Sequence, residues 1–141
     1  MRIYIDTSAL IKRSIDEEFA NDVRDVLDEF VGQGISLLSS TLAWIEVSRG
    51  LRSKLESEAP ARVADLIEES LSGVAEIPIS AEIASFAQRI GSPWIRSLDA
   101  IHLATATVVR ADFVIGYDKR LLQTAAELGF RTLSPGQLSV R

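Results

Sequence analysis

Four acidic residues of the chain have the type and placement for metal chemistry: Asp6, Glu46, Asp99 and Asp118, here called the acidic quartet. Each lies where a helix or strand is predicted to begin or end, or close to such a point. They are far apart in the sequence, so only the fold can bring them together. Crowded carboxylates resist ionisation unless a cation offsets their charge. If the quartet assembles, we therefore expect a metal ion among its side chains.

The chemistry of these ligands favours a hard divalent ion. Oxygen-only donors suit Mg²⁺ or Mn²⁺, whereas zinc sites draw mainly on Cys and His. The chain has no Cys, and its one His is His102. A carboxylate-bound Mg²⁺ or Mn²⁺ can stabilise the attacking and leaving oxygens of phosphodiester hydrolysis and lower the pKa of a bound water.

A purely structural interpretation exists for most of the quartet. Asp6, Asp99 and Asp118 lie at or near predicted helix starts, where a carboxylate accepts from free backbone N–H groups. Taken singly, each is explained at least as well by capping as by catalysis. Glu46 differs, because it lies inside a predicted helix where no cap requires a carboxylate.

The elements that must position the quartet alternate along the chain. Apolar alternation, helical periodicity and Gly, Pro and Ser boundaries distinguish strands from helices. The pattern predicts an α/β protein, a three-layer α/β/α fold with a central, mainly parallel sheet. The predicted strands are 2–6, 35–39, 74–79 (at an edge, because of Pro78), 112–117 and 131–133; the predicted helices are one with a capping box at Ser14 that runs to about 31, then 41–54, 63–71, 80–90, 97–110 and 119–128.

This architecture gives the quartet a common location. In open parallel sheets, ligands bind at the carboxyl ends of the strands. Asp6 and Asp118 follow two such ends, and Asp99 opens the helix before the Asp118 strand. Glu46 lies about two helical turns beyond the second strand. We therefore expect all four side chains to meet in one crevice.

Composition limits the class of protein. The 141 residues are 47% hydrophobic and 25% charged, which suits one globular domain over residues 1–141. No apolar stretch approaches the ~20 residues of a membrane span, and the start reads as a strand rather than a signal peptide. With no Cys, a cytoplasmic protein is predicted. The net charge of −5 excludes a generic polyanion binder, although 12 of the 15 basic residues are Arg, which suits local phosphate contacts.

Three sequence motifs resemble the PIN-domain family, and more narrowly the VapC-type toxins of toxin–antitoxin pairs. They are Ile-Asp-Thr-Ser-Ala-Leu at 5–10, Ser-Leu-Asp-Ala-Ile-His-Leu-Ala-Thr-Ala at 97–106 and Gly-Tyr-Asp-Lys-Arg-Leu at 116–121. Their order and spacing cover essentially the whole chain. The resemblance implies a Mg²⁺- or Mn²⁺-dependent endoribonuclease, a homodimer, an RNA substrate and a cognate antitoxin protein as inhibitor.

The resemblance also implies roles for individual residues. The acidic quartet matches the catalytic and metal-binding acids of the family, and Thr7 and Ser8 match hydroxyl positions that follow the first acid. Both hydroxyls can orient a metal-bound water or a phosphate, and both equally suit an ordinary first helical turn. Family members often have a Thr two residues before the last acid, where this chain has Gly116. We expect that difference to remove an auxiliary hydrogen bond beside Asp118.

Several basic residues lie within about two helical turns of the quartet. A positive rim around a negative pocket would serve phosphate contacts, whereas solvated helix faces are the simpler explanation. We favour the rim for some of them and include Arg96 as an auxiliary site residue. The full set is Lys12, Arg13, Arg49, Arg52, Arg96, Lys119 and Arg120.

Three further residues have alternative interpretations. His102 lies one helical turn after Asp99, and we interpret it as a hydrogen-bonded structural residue rather than a general base. Trp94 follows Pro93 in a loop, where we favour a packed anchor or a partner contact over stacking on an RNA base. Trp44 is most simply a core or interface residue.

Two other functions are compatible with a small acidic α/β domain. A receiver-type phosphoacceptor domain is one, but it needs paired acids after the first strand and an Asp after the middle strand. Here Ser39 and Ser40 follow the second strand. A binding module that keeps the PIN fold without catalysis is the other, and retention of the whole quartet disfavours it.

Overall fold

The computed structural model describes residues 1–137, which form five strands and seven helices. None of these helices is both long and apolar enough to cross a bilayer. The single domain predicted over residues 1–141 stays a prediction, since 138–141 lie outside the described residues. The elements in chain order are β1 (Arg2–Ile5), α1 (Thr7–Lys12), α2 (Ala20–Gly32), β2 (Ser36–Ser40), α3 (Thr41–Lys54), α4 (Pro60–Leu71), β3 (Val74–Ile77), α5 (Ala81–Ala87), α6 (Ser97–Val108), β4 (Phe113–Ile115), α7 (Lys119–Glu127) and β5 (Arg131–Leu133).

The five strands form one sheet in the order β3-β2-β1-β4-β5, and every neighbouring pair is parallel. Strand β1 is central, with Ile3 opposite Leu37 of β2 on one side and Phe113 of β4 on the other. Receiver-type domains have the order 2-1-3-4-5, so the receiver alternative is wrong. The order reverses direction between β1 and β4, and a crevice opens at such a switch point.

Alternating side chains of the central strands face two helical layers, which confirms the three-layer prediction. Ile3 and Ile5 of β1 pack in a core with residues of α1, α2, α3 and α4. Tyr4 and Val114 point the other way, into a core with α5, α6 and α7. Full burial of an Ile or Leu side chain contributes about 1.5–3 kcal/mol relative to exposure. Both faces of β1 are thus held, so its carboxyl end is a rigid platform.

The start of the second helix differs from the sequence prediction. The capping box at Ser14 is wrong: α2 begins at Ala20, and the preceding Phe19 has a left-handed φ of 66°. The Ser14 hydroxyl instead hydrogen-bonds to the hydroxyl of Ser70. The helix start predicted after Asp6 corresponds to α1, but the sequence pattern set no bounds for this helix, because six residues are too few to display a helical period.

Candidate active site

Asp6 stands at the switch point, where β1 becomes α1. Its backbone N–H donates to Ile115 O at 2.8 Å, which continues the pairing with β4. Its carbonyl then accepts from Ala9 and Leu10, the first bonds of α1. The residue is 6% exposed, and its side chain does not cap this helix. The capping interpretation is therefore wrong for Asp6.

Glu46 reaches the same region from α3. That helix starts directly after β2, because Ser40 Oγ accepts from Leu42 N at 3.0 Å. Two groups bind the same Glu46 oxygen: Thr7 Oγ1 donates to Oε1 at 2.8 Å, and His102 Nε2 lies 2.6 Å from it. Glu46 is thereby tied to α1 and α6.

His102 joins Glu46 to the centre of the sheet. The imidazole is 2% exposed, and its Nδ1 lies 2.6 Å from the hydroxyl oxygen of Tyr4. That hydroxyl accepts from Ser40 N at 3.2 Å, so with a neutral imidazole it donates to Nδ1. Nε2 then donates to Glu46. The predicted hydrogen bonding of His102 is confirmed, and its partner makes it part of the site.

Tyr4 is a residue of the candidate site that the sequence interpretation missed. A fully buried Tyr hydroxyl needs a hydrogen-bond partner. Tyr4 stands between two Ile residues in the central strand, which was the available signal.

The other two acids belong to helix starts on the far side of the crevice. Asp99 lies in the first turn of α6. Asp118 is the N-cap of α7, and its Oδ1 accepts from Arg120 N at 2.9 Å and from Leu121 N at 3.2 Å. The capping interpretation is thus confirmed for Asp118. Both bonds use one oxygen, so Oδ2 remains available for a second partner.

The pKa values of two acids in the site are raised by burial and by the negative charges around them. Burial raises the pKa of Asp6 above its ordinary value, and the charge of Glu46 adds to the effect, although His102 and Ser8 oppose it. Burial also raises the pKa of Asp99, as do the charges of Asp118 and Asp6. In the described chain no Lys or Arg forms an ion pair with the quartet. The carboxylates therefore repel one another, and the surrounding residues only partly offset their negative charge.

Within this cluster of acids, Glu46 and His102 stabilise each other's charged forms. Partial burial raises the pKa of Glu46, but the hydrogen bond and charge of His102, together with the Thr7 hydroxyl, outweigh burial and lower it. Burial lowers the pKa of His102, yet its hydrogen bond to Glu46 and the charges of Asp6, Glu46 and Asp99 raise it overall. Glu46 is therefore held ionised.

The difference at Gly116 has a steric cause. A Cβ placed on Gly116 would lie 2.9 Å from Asp6 Cβ and 3.2 Å from Asp6 Oδ2, so a Thr does not fit beside Asp6 as it stands. Ser8 supplies a hydroxyl at this point: its Oγ donates to Asp6 Oδ2 at 2.7 Å and accepts from Tyr117 N at 2.9 Å. Ser8 therefore links Asp6 to the segment that carries Asp118.

The predicted basic rim is only partly present. Lys12 pairs with Glu17 at 3.2 Å, and Arg13 donates to the carbonyls of Ser70 and Ser72 at 2.9 and 2.7 Å. Lys12 and Arg13 therefore have structural roles. Arg96 and Arg120, in contrast, line a recess that also includes Asp99.

The donor set fits a hard divalent ion better than a softer one. Its members are carboxylates at one edge of the sheet, including a buried Asp6 whose charge burial disfavours. Within residues 1–137, no three acidic or imidazole side chains already have the spacing of a complete coordination site. In the present arrangement Thr7 and His102 occupy Oε1 of Glu46, which leaves its second oxygen for a ligand.

A parallel sheet of this order, with acids at its switch point, defines a class of α/β proteins with a carboxylate pocket. The PIN domain model matches residues 3–127, and the chain belongs to the PIN domain family.

Curated relatives share most of their length with this chain. It is 36% identical over 136 residues to Ribonuclease VapC47 of Mycobacterium tuberculosis strain CDC 1551 / Oshkosh, covering 95% of this chain and 97% of that protein. It is 34% identical over 139 residues to Ribonuclease VapC35 of the same strain, covering 96% and 98%.

Solved structures share the fold at low sequence identity. VapBC2 from Rickettsia felis, bound to a promoter DNA fragment, superposes with a TM-score of 0.73 at 12% identity, covering 94% of this chain and 98% of that one. Mycobacterium tuberculosis VapC20, a Sarcin-Ricin loop cleaving toxin, gives 0.71 at 14% identity, covering 94% and 99%. These likenesses describe the fold.

Proposed function

We propose that the protein is a Mg²⁺- or Mn²⁺-dependent endoribonuclease that acts as the toxin of a toxin–antitoxin pair. The observation that carries the proposal is the acidic quartet at the β1–β4 switch point, where Asp6 is buried and has His102 Nε2 at 3.7 Å, but no Lys or Arg within residues 1–137, as an ion-pair partner. The ribonuclease names of relatives at 34–36% identity support RNA as substrate.

In this proposal the four carboxylates hold the metal. The ion supplies Lewis acidity and a water of lowered pKa when it is bound. Asp6 is the anchor, oriented by Ser8, and Glu46 is oriented by Thr7 and His102. Asp99 and Asp118 lie at the starts of α6 and α7, on the opposite side of the pocket. In this proposal α1 and α3 bound the pocket on one side, and α6 and α7 bound it on the other.

Charge-removing substitutions test the metal site. We expect Asp6→Asn and Asp99→Asn to lower Mg²⁺-dependent RNA cleavage by more than ~100-fold, since loss of even an outer-shell partner costs 10–100-fold. Asp65→Asn, on an exposed face of α4, is the matched control and should keep full activity. Purified proteins are compared on total RNA with Mg²⁺, Mn²⁺ or EDTA, and circular dichroism verifies folding. Undiminished cleavage by both variants contradicts the proposal.

The antitoxin and the homodimer are further parts of the proposal. Their support is the family pattern and the fold shared with a toxin–antitoxin complex from Klebsiella pneumoniae, which has a TM-score of 0.63. We expect expression of the chain to arrest growth, and co-expression of a small reading frame adjacent to its gene to restore it. Light scattering on the purified chain measures the dimer. Growth arrest by Asp6→Asn as strong as by the unaltered chain contradicts a nuclease toxin.

A further inference from the structure

Trp94 is an exposed aromatic side chain that the packing of the chain does not explain. It is 91% exposed, in the segment that joins α5 to α6. Its backbone is fixed, because Trp94 N donates to Ser92 Oγ at 3.2 Å. The prediction of a packed loop anchor is therefore wrong. A large indole held in solvent on an ordered turn indicates a contact with something outside the described chain.

A recess lies beside Trp94 and reaches Asp99, one member of the acidic quartet. Its volume is about 210 Å³, below the roughly 300–1,000 Å³ of pockets that enclose small molecules. Trp94, Arg96 and Arg120 line it together with Asp99. The recess therefore suits one flat group of a longer ligand whose next part lies at the quartet.

The two arginines place guanidinium groups in a lining that also contains the carboxylates of Asp99 and Glu127. Neither Arg96 nor Arg120 forms an ion pair within residues 1–137, and the charge of Arg96 lowers the pKa of Asp99 against the raising effect of burial. Guanidinium groups match phosphate oxygens in two-pronged geometry. Glu127, also in the lining, is engaged by Gln123 Nε2 at 3.5 Å. Phosphates thus have two guanidinium groups as partners in the recess.

The surroundings of Trp94 favour a nucleic-acid base over a protein partner. Protein interfaces have an apolar core of several side chains, whereas the one aliphatic side chain in the described lining is Ile95. The rest of the lining is polar or charged. An aromatic face beside arginines is the combination that binds single-stranded nucleic acid by stacking and phosphate contact.

We propose that Trp94 is the stacking platform for an unpaired base of RNA near the scissile bond, with adjacent phosphates against Arg96 and Arg120. The inference rests on the proposed ribonuclease function and assigns the site a nucleotide-binding subsite on the α6–α7 side. Since every base has an aromatic face, the subsite adds affinity with little sequence preference.

Binding of a random-sequence, fluorescein-labelled 12-nucleotide single-stranded RNA pool tests the subsite. The background is the Asp6→Asn chain in Mg²⁺, so that the probe stays intact. We expect Trp94→Ala to weaken binding about 5- to 150-fold, the equivalent of ~1–3 kcal/mol per stacked base. Trp94→Phe should retain most of the affinity, and Val31→Ala, which trims another exposed apolar side chain on α2, should change nothing.

Salt dependence separates stacking from charge. Each phosphate contact contributes about 0.7 to the slope of log K against log salt for a single strand. Arg120→Gln should therefore lower the slope by about 0.7, whereas Trp94→Ala should lower affinity at an unchanged slope. The probe should also quench the intrinsic fluorescence of the Trp94-containing chain more than that of Trp94→Phe, in which Trp44 remains.

The outcomes distinguish this inference from the proposed function. If the unaltered chain cleaves RNA and Trp94→Ala binds the probe as tightly as its parent, the subsite is wrong and the ribonuclease proposal stands. If Trp94→Ala instead loses only self-association or antitoxin binding, Trp94 is a protein contact and the subsite is again wrong. If the unaltered chain cleaves no RNA with Mg²⁺ or Mn²⁺, the proposed function and the subsite fall together.

Discussion

Three carboxylates of the quartet accept hydrogen bonds from neighbours in the described chain. Asp6 accepts from Ser8, Glu46 from Thr7 and His102, and Asp118 from the amides of its own helix. The first two are fixed by side chains of other elements, which restricts their rotamers before any ion binds. Preorganised ligands of this kind lose less conformational entropy on binding.

The hydroxyl of Tyr4 should affect the site through His102. Tyr4→Phe leaves His102 Nδ1 and the Ser40 N–H without their partner, and we expect it to cost about 1–3 kcal/mol of unfolding free energy. It should also weaken Mn²⁺ binding by about 10–100-fold, because Glu46 loses the support of its orienting residue. Chemical denaturation and Mn²⁺ titration monitored by electron paramagnetic resonance measure the two effects.

Tyr117→Phe is the matched control, since the Tyr117 hydroxyl donates to Pro135 O at 2.6 Å and has no bond to the quartet. It should lower stability and leave Mn²⁺ affinity near that of the unaltered chain. Equal Mn²⁺ affinities for Tyr4→Phe and Tyr117→Phe would show that the hydrogen bond from Tyr4 to His102 does not help to orient Glu46.

Gly116 is required by the closeness of Asp6. Gly116→Ala places a methyl group 2.9 Å from Asp6 Cβ, and we expect it to destabilise the fold by about 1–3 kcal/mol and to lower cleavage, because either Asp6 or the β4 end must shift. Gly32→Ala, at the end of α2, meets nothing within 4 Å and should be neutral or slightly stabilising. Thermal unfolding and RNA cleavage assays compare the two. A stable, active Gly116→Ala would contradict the steric argument.

At the scale of elements, two serine caps offer a matched comparison. Ser40 caps α3, which carries Glu46, whereas Ser80 caps α5, which carries none of the quartet. We expect Ser40→Ala and Ser80→Ala each to cost about 0.5–2 kcal/mol of unfolding free energy. Only Ser40→Ala should also lower kcat, because the start of α3 sets the position of Glu46. Steady-state kinetics on a defined RNA measure this difference, and equal kcat values would contradict it.

The sequence predicted the elements better than their junctions. The apolar run Ile3-Tyr4-Ile5 placed β1 and the Ser80 cap placed the start of α5 correctly, because both signals are local. The capping pattern at Ser14 failed because that hydroxyl is engaged by Ser70, a contact from α4 that no local rule contains. The exposure of Trp94 was missed for the same reason. It depends on whether distant parts of the chain pack against the loop, which the local sequence does not show.

The candidate site was predictable as a set of residues and not as a set of contacts. Three of the acids lie at predicted strand ends or helix starts, and Glu46 lies in the helix that follows the second strand; both placements are properties of the chain pattern. The sharing of one Glu46 oxygen by Thr7 and His102, and the closeness of Gly116 to Asp6, follow from the strand order. Strand order depends on long-range pairing, which periodicity does not encode.

At the scale of the whole molecule, the negative charge of the acidic quartet predicts that metal binding raises the free energy of unfolding. We expect Mg²⁺ or Mn²⁺ at 100 times its Kd to raise the unfolding free energy by ~2.7 kcal/mol. Asp99→Asn should lose most of this gain. Thermal unfolding with each ion and with EDTA measures it, and stabilisation of Asp99→Asn equal to that of the unaltered chain would contradict the metal site.

The same linkage has a direction in pH. Protons compete with a metal for Asp6 and Asp99, whose pKa values are raised first by burial and then by neighbouring acids. Metal-dependent stabilisation should therefore be lost as the pH falls, beginning at a higher pH than for ordinary carboxyls. Unfolding midpoints measured with Mg²⁺ across acidic pH values follow this loss.

The strand order also sets when the site can exist during synthesis. The central strand β1 is the first to emerge, yet one of its two neighbours, β4, and Asp118 come more than a hundred residues later. At ~5–20 residues per second, the ribosome needs about 6–22 s to pass from Asp6 to Asp118. Until then Asp6 has no β4 beside it. A nascent chain therefore carries the first acid of the site without its pocket, and it cannot cut RNA before the segment with β4 and Asp118 has been synthesised.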